Sequence, residues 1–216
     1  MIEKELLKDS TRKSMLNDIS EHIPFYESHL QNVLLPLKNH KNFDKIEKEY
    51  EIMLIYSIMN LDFLVSVNNF LRSKFVWEKV VAFKQIYKMI FESHNKISYR
   101  FFIEANGIIN PEKTQKFKNQ SLWFGKMPVF INEESKYEYS QISDLIEKFK
   151  TNHDFRYIEK IRNYDGHYTN VSNCVNDLTS IDPDKSMRIA IEWINILREV
   201  NNFAFASLYK KLNTKE

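Results

Sequence analysis

The sequence predicts an all-α protein, an up-and-down helical bundle, and three observations lead to that prediction. The 216-residue chain contains only 3 glycines and 5 prolines, whereas β-rich folds use these residues at their tight turns. Apolar residues recur at i, i+3, i+4 and i+7 over long stretches, which is the spacing of amphipathic helices. Hydrophobic residues make up 43% of the chain, enough for one large core. We therefore expect a single helical domain over residues 1–216.

The first two predicted elements are long. Residues 6–37 have helical spacing, and Pro24 and Pro36 are expected to divide this segment into two pieces because proline interrupts helical hydrogen bonding. Between Asp44 and about Lys74, apolar residues occupy every side of the helical wheel. A helix that is apolar all round is normally buried. This segment is therefore predicted to be the central helix.

The third helix and the excursion that follows it are predicted from Val76 onward. The stripe runs to about Ala105, with Gly107 as a stop signal, and should form an antiparallel hairpin with the central helix. Residues 107–138 are irregular, and a short strand is expected at 128–131. The basic and aromatic stretch between Lys113 and Lys126 allows two interpretations: a grip for single-stranded RNA, or a solvated loop pinned by its aromatic residues.

Three further helices complete the predicted bundle. Ile142, Leu145, Ile146 and Phe149 form a regular apolar stripe. Another helix should begin at Asp154, a plausible N-cap. A final helix is predicted from about Lys185 to Leu212, with the following residues facing inward: Trp193, Leu197, Val200, Ala204 and Leu208.

Charge and cysteine content bear on the compartment. A formal net charge of +2 gives no strong field towards nucleic acid or membranes. Cys174 is the single cysteine, and the first five residues are too charged to open a signal peptide. The apolar stretch 52–67 is about sixteen residues long, shorter than the roughly twenty that a membrane span needs. We therefore expect a cytoplasmic protein without a membrane partner.

The candidate chemical site is the sequence Arg-Asn-Tyr-Asp-Gly-His at positions 162–167. Arg162 offers a permanent positive charge and a forked donor set suited to a phosphate, and His167 can exchange protons near neutral pH. In RNA the 2′-hydroxyl supplies the nucleophile, so proton transfer and charge stabilisation suffice without a metal or cofactor. Gly166 is expected to end the helix, which lets His167 turn back towards Arg162.

This motif resembles that of the HEPN superfamily, in which an arginine, a polar residue and a histidine after four to six intervening positions lie near a helix end. The resemblance covers the motif and the helical layout. It implies a HEPN-type bundle with additional helices, often a homodimer, and often a metal-independent endoribonuclease of toxin, phage-defence or RNA-processing systems. On these residues, Arg162 would stabilise the phosphate, His167 would transfer protons and Asn163 would orient the pair. RNA and an antitoxin or other protein would be the partners.

Other interpretations remain open. Gly166 can simply be the residue that ends a helix, with Lys160 and Arg162 complementing the helix dipole and His167 on the surface. The alternative function is a non-catalytic helical module that binds a nucleotide, an RNA or a protein partner. A purely structural interaction protein is a third class. A zinc pair of His22 with His29 and a nucleophilic Cys174 are weaker hypotheses, since neither has the required companions.

Overall fold

The computed structural model describes residues 9–39, 48–99, 101–151, 155, 157–158 and 182–213. Within these ranges the fold is helical, and its β-structure is limited to an isolated bridge between Ile103 and Ile109. The all-α prediction is therefore confirmed for the part of the chain that is described. The α-helices are α1 (Asp9–Asn39), α2 (Lys48–Arg72), α3 (Val76–Ile97), α4 (Pro111–Gln120), α5 (Lys136–Thr151) and α6 (Pro183–Asn213).

Helix α1 is one continuous helix of 31 residues. The expected division at Pro24 and Pro36 is therefore wrong. A proline removes one backbone donor and strains the preceding turn, but packing can offset that cost. Ile19, Tyr26 and Val33 are buried at intervals of one heptad, so a single apolar stripe on both sides of Pro24 holds the helix against the bundle.

Helix α2 is the central helix, as predicted. Met53, Tyr56 and Val67 are fully buried. Three of its buried polar side chains donate to carbonyl oxygens one turn earlier in the helix: Ser57, Asn60 and Ser66. The Asn60 amide, for example, donates to the Tyr56 carbonyl oxygen at 2.7 Å. By length and composition α2 could cross a membrane, with a mean hydropathy of 1.4 over its most apolar window, half of which is buried in the fold.

Helix α3 packs beside α2 after the short connection 73–75. The rings of Phe70 and Phe83 lie 4.1 Å apart at this contact. The helix ends at Ile97, where the Ser98 amide donates to the His94 carbonyl oxygen at 2.7 Å. The predicted extension to Ala105 is wrong.

The chain instead turns back on itself beyond α3. Gly107 adopts φ +80°, and its amide donates to the Glu104 carbonyl oxygen at 2.9 Å. This left-handed conformation is one that glycine takes without strain. Gly107 therefore marks a turn and not the end of α3. This turn brings Ile103 and Ile109 together in their β-bridge.

The excursion before α5 is built from short helical turns. Asn110 caps α4 by accepting from the Lys113 amide at 3.0 Å, and a π-helical turn follows at Leu122–Lys126. The strand expected at 128–131 is wrong, because Met127–Phe130 forms a 3₁₀ turn. Pro128 fits this turn, since the first turn of a helix needs no donor from its residues.

The core is formed by residues of α1, α2, α3, α5 and α6 together with the turns at 122–130. All the α6 residues that were predicted to face inward are buried: Trp193, Leu197, Val200, Ala204 and Leu208. On α5, Ile142, Ile146 and Phe149 are buried as expected, but Leu145 is 43% exposed.

Candidate functional site

The predicted catalytic residues Arg162, Asn163 and His167 lie outside the described residues, as do Gly166 and Cys174. Their convergence on one phosphate therefore stays a prediction. The flanks of this segment are described on both sides: Phe155, Tyr157 and Ile158 precede it, and Asp182 follows it. Phe155 and Ile158 are helical and buried, which agrees with the apolar stripe predicted after Asp154.

The two flanks of the segment meet. The Asp182 amide donates to the Tyr157 hydroxyl oxygen at 3.1 Å, and the Lys185 ammonium nitrogen lies 4.6 Å from the centroid of the Tyr157 ring. The chain thus leaves and re-enters the described fold at one place. That place lies at the start of α6 and against α3, since the Tyr87 and Tyr157 rings are 5.9 Å apart, edge to face.

Tyr87 and Ser186 tie α3 to α6 beside this contact. The Tyr87 hydroxyl donates to the Ser186 hydroxyl, which in turn donates to the Asp182 carbonyl oxygen at 2.5 Å. Burial raises the pKa of Tyr87, so its hydroxyl stays protonated at neutral pH and acts as a donor. The start of α6 is therefore held by a relay of hydroxyl groups.

A buried histidine lies under the same part of the bundle. His94 is fully buried, with ring-centroid distances of 4.4 Å to Phe155 and 5.4 Å to Trp193. Neither ring nitrogen makes a well-formed hydrogen bond, although the Ile146 backbone acts on the ring and opposes the lowering of its pKa. Burial, with the nearby charge of Lys150, lowers the pKa of His94 to about 3, so the ring is neutral at physiological pH.

Lys150, near the end of α5, is close enough for its charge to act on His94, and it contacts two aromatic rings. Its ammonium nitrogen is buried without a hydrogen-bond partner, and lies 3.5 Å from the ring centroid of Tyr99 and 4.0 Å from that of Phe101. Burial lowers the pKa of Lys150 to about 8. Cation–π attraction to the two ring faces compensates part of the lost hydration.

Lys118 and Phe124 extend this arrangement. The Lys118 ammonium nitrogen lies 5.4 Å from the ring centroids of both Tyr99 and Phe124, and those two rings are 5.6 Å apart. We call the group of Tyr99, Phe101, Lys118, Phe124 and Lys150 the Tyr99 cluster.

The Lys113–Lys126 stretch is partly pinned, as one of its two interpretations proposed. Trp123 is fully buried and its indole nitrogen donates to the Ser143 hydroxyl at 2.8 Å, so it cannot stack on a base while the fold is intact. Phe124 is only partly buried.

Nothing matches this chain. Comparison with protein-family models, with curated proteins and with solved structures found no similar protein. The resemblance to HEPN proteins therefore depends on the motif at 162–167 and on the helical layout.

The described histidines show no metal centre. His22 donates from Nδ1 to the Asp18 carbonyl oxygen at 2.7 Å, and His29 is stacked on Phe205 with ring centroids 4.8 Å apart. Within the described ranges, the structure contains no group of three or more His, Cys, Asp or Glu side chains that could hold a metal ion.

The Tyr99 cluster was missed by sequence reasoning. Tyr99 and Phe101 fell within the predicted extension of α3, and Lys150 has the appearance of an ordinary surface lysine at a helix end. Of the cluster's members, only Lys118 and Phe124 lay in the stretch that was considered for RNA. The available signal was Gly107 itself, because glycine often marks a turn.

Proposed function

We propose that this protein is a HEPN-like, metal-independent endoribonuclease that acts as a homodimer, in a setting such as toxin activity or phage defence. The observation that carries this proposal is the sequence Arg162-Asn163-x-x-x-His167 in a chain whose described residues are helical. Arg162 stabilises the charge on the phosphate, His167 transfers protons, and Asn163 orients the pair.

The proposed reaction is an internal transfer within RNA. The 2′-oxygen forms a bond to phosphorus while the bond from phosphorus to the 5′-oxygen breaks. The 2′-hydroxyl proton leaves to a base, and a proton is delivered to the departing 5′-oxygen. One end of the product is therefore a 2′,3′-cyclic phosphate and the other a 5′-hydroxyl. A histidine with a pKa near neutrality suits these proton transfers, and an arginine suits the charge on the pentacovalent phosphate.

The described flanks are compatible with a site in this segment. The hydrogen bond between Asp182 and Tyr157 fixes both ends of the segment 159–181 at one place on the bundle. A site needs such an anchor, because small displacements of catalytic groups cost large factors in rate.

The experiment uses purified protein, labelled single-stranded RNA and tRNA, and EDTA throughout. We expect cleavage to products with 2′,3′-cyclic phosphate ends, identified by mass spectrometry. His167→Ala and Arg162→Ala should each reduce the rate by roughly 10²-fold or more. His22→Ala is the matched control, since its ring bonds only to its own helix, and should cleave like the parent.

Equal cleavage by the His167→Ala and parent proteins would refute the catalytic assignment. RNA binding without any cleavage by the parent would instead favour the non-catalytic helical module.

A further inference from the structure

We propose that the Tyr99 cluster is a binding surface for single-stranded RNA. This inference rests on the proposed function, because it names the surface that holds the substrate of the motif at 162–167. It deepens that function by assigning roles to residues far from the motif in sequence: aromatic rings that stack on bases and a lysine that meets the backbone.

The cluster combines ring faces with positive charge. Phe101 is 43% exposed, and Tyr99 and Phe124 are partly exposed. Lys118 stands 5.4 Å from two of these rings. Proteins that bind single strands use aromatic side chains as platforms for bases, together with cations that follow the phosphates. A duplex would not fit this mode, because its bases are already stacked and paired.

Lys150 acts as a positioning residue. Its ammonium group is buried between the rings of Tyr99 and Phe101 without a hydrogen-bond partner, so it orients the rings rather than contacting a phosphate. The Glu147 carboxylate raises the pKa of both Tyr99 and Lys150. Its negative charge offsets one of the positive charges. With Lys118 and Lys150 against Glu147, the cluster carries a net positive charge, which favours a polyanion.

The cluster is joined to the segment that carries the motif. The charge of Lys150 acts on His94, and the His94 ring packs 4.4 Å from that of Phe155. Phe155 belongs to the stretch that leads from α5 into 159–181. The Tyr99 cluster is therefore linked, through Lys150, His94 and Phe155, to the stretch that leads into this segment.

The test measures RNA binding apart from cleavage. The His167→Ala chain, folded as judged by circular dichroism, is titrated with a labelled single-stranded RNA and followed by fluorescence anisotropy at several salt concentrations. Phe101→Leu keeps an apolar side chain but removes the ring. Lys118→Gln removes the charge but keeps a polar side chain that is only slightly shorter. The matched controls are Phe25→Leu, at an aromatic that is 55% exposed on α1, and Lys88→Gln, at an exposed lysine on α3.

We expect Phe101→Leu to weaken binding about tenfold, since one base loses its stacking partner. Lys118→Gln should reduce the slope of log affinity against log salt by about 0.7, the value for one phosphate contact on a single strand. Both control variants should bind like the parent.

The inference is overturned if both cluster variants bind like the controls, if the His167→Ala chain does not bind RNA, or if it binds a duplex equally well. Displacement of RNA by polyglutamate at equal charge concentration would also overturn it, because the site would then be a general polyanion or acidic-protein surface. Cleavage by the parent together with unchanged binding by both variants would refute this surface alone. Binding that depends on the cluster, without cleavage, would refute the proposed catalysis alone.

Discussion

The ammonium nitrogen of Lys150 lies 3.5 Å from the centroid of the Tyr99 ring and has no hydrogen-bond partner. A buried cation normally has an anionic or hydrogen-bonding partner, so ring faces are an unusual support for this charge. Burial, together with the nearby Glu147 carboxylate, raises the pKa of Tyr99 to about 12. At neutral pH the tyrosine is therefore neutral and Lys150 is mainly charged.

The contribution of Lys150 to the free energy of unfolding should change as the pH rises from neutral to alkaline. Its pKa is about 8 in the fold, against 10.5 for the free group. Between these values the unfolded chain binds more protons than the folded chain, so the free energy of unfolding from this group rises with pH. We expect Lys150→Met to gain stability relative to the parent at pH 7 and to lose that advantage by pH 10, as measured by urea unfolding. A stability difference that is constant over this range would contradict the assignment.

His94 should make the protein sensitive to acid. The pKa of His94 is about 3 in the folded protein, against 6.5 when the ring is exposed. Between these pH values the unfolded chain therefore binds a proton that the folded chain does not bind. Stability from this group is intact above pH 6.5 and falls as the pH drops from 6.5 towards 3. At pH 5 the expected loss is about 2 kcal/mol, from 1.5 pKa units.

His94→Phe should remove this acid-dependent loss of stability, because a phenyl ring can occupy the same aromatic site but does not titrate. The difference in the free energy of unfolding between variant and parent should then move by about 2 kcal/mol in favour of the variant from pH 7 to pH 5. His22→Ala, at a less buried position on α1, serves as the control. The same acid dependence in parent and His94→Phe would refute this role.

The helices were predictable where a one-sided apolar stripe had no competing signal. α6 was predicted almost to its observed ends, because its stripe is long and ends in polar sequence. The prediction of a break at Pro24 was wrong because it considered only the local effect of proline on helical hydrogen bonding. The tertiary packing of Tyr26 and Val33 keeps the helix continuous. Leu145 fits the spacing of α5, but spacing does not tell whether a neighbouring element covers that position.

The Tyr99 cluster could not be predicted because its members come from three separate segments of the chain. Lys150 meets Tyr99 only once α5 packs near the end of α3, and no local pattern encodes that contact. The motif at 162–167 is the opposite case: its residues are adjacent in sequence and recognisable there. Its geometry depends on the conformation around Gly166, which lies outside the described residues.

Gly125 should tolerate no side chain. A Cβ at this position would lie 2.2 Å from the Asn119 carbonyl oxygen, so Gly125→Ala must displace the backbone at the end of α4. We expect a loss of roughly 1–3 kcal/mol in the free energy of unfolding, measured by chemical denaturation. Gly107→Ala is the matched control, because its Cβ would meet nothing within 4 Å and only the φ of +80° opposes it. A smaller loss at Gly125 than at Gly107 would contradict the close approach.

The hydroxyl relay from Tyr87 through Ser186 should couple α3 to the start of α6. Tyr87→Phe leaves the Ser186 hydroxyl without its donor, and Ser186→Ala leaves the Tyr87 hydroxyl buried without an acceptor. Ser186→Ala should cost about 1–2 kcal/mol, since it leaves a buried hydroxyl without this acceptor. Tyr87→Phe should cost less, because the Ser186 hydroxyl keeps its bond to the Asp182 carbonyl oxygen. The double variant removes both groups together, so its cost should be about 1 kcal/mol less than the sum of the single costs. Urea unfolding of the four proteins gives this coupling, and additive costs would show that the two hydroxyls act independently.

Because the Ser186 hydroxyl also donates to the Asp182 carbonyl oxygen at the flank of the segment 159–181, Ser186→Ala should in addition slow RNA cleavage more than Tyr87→Phe does.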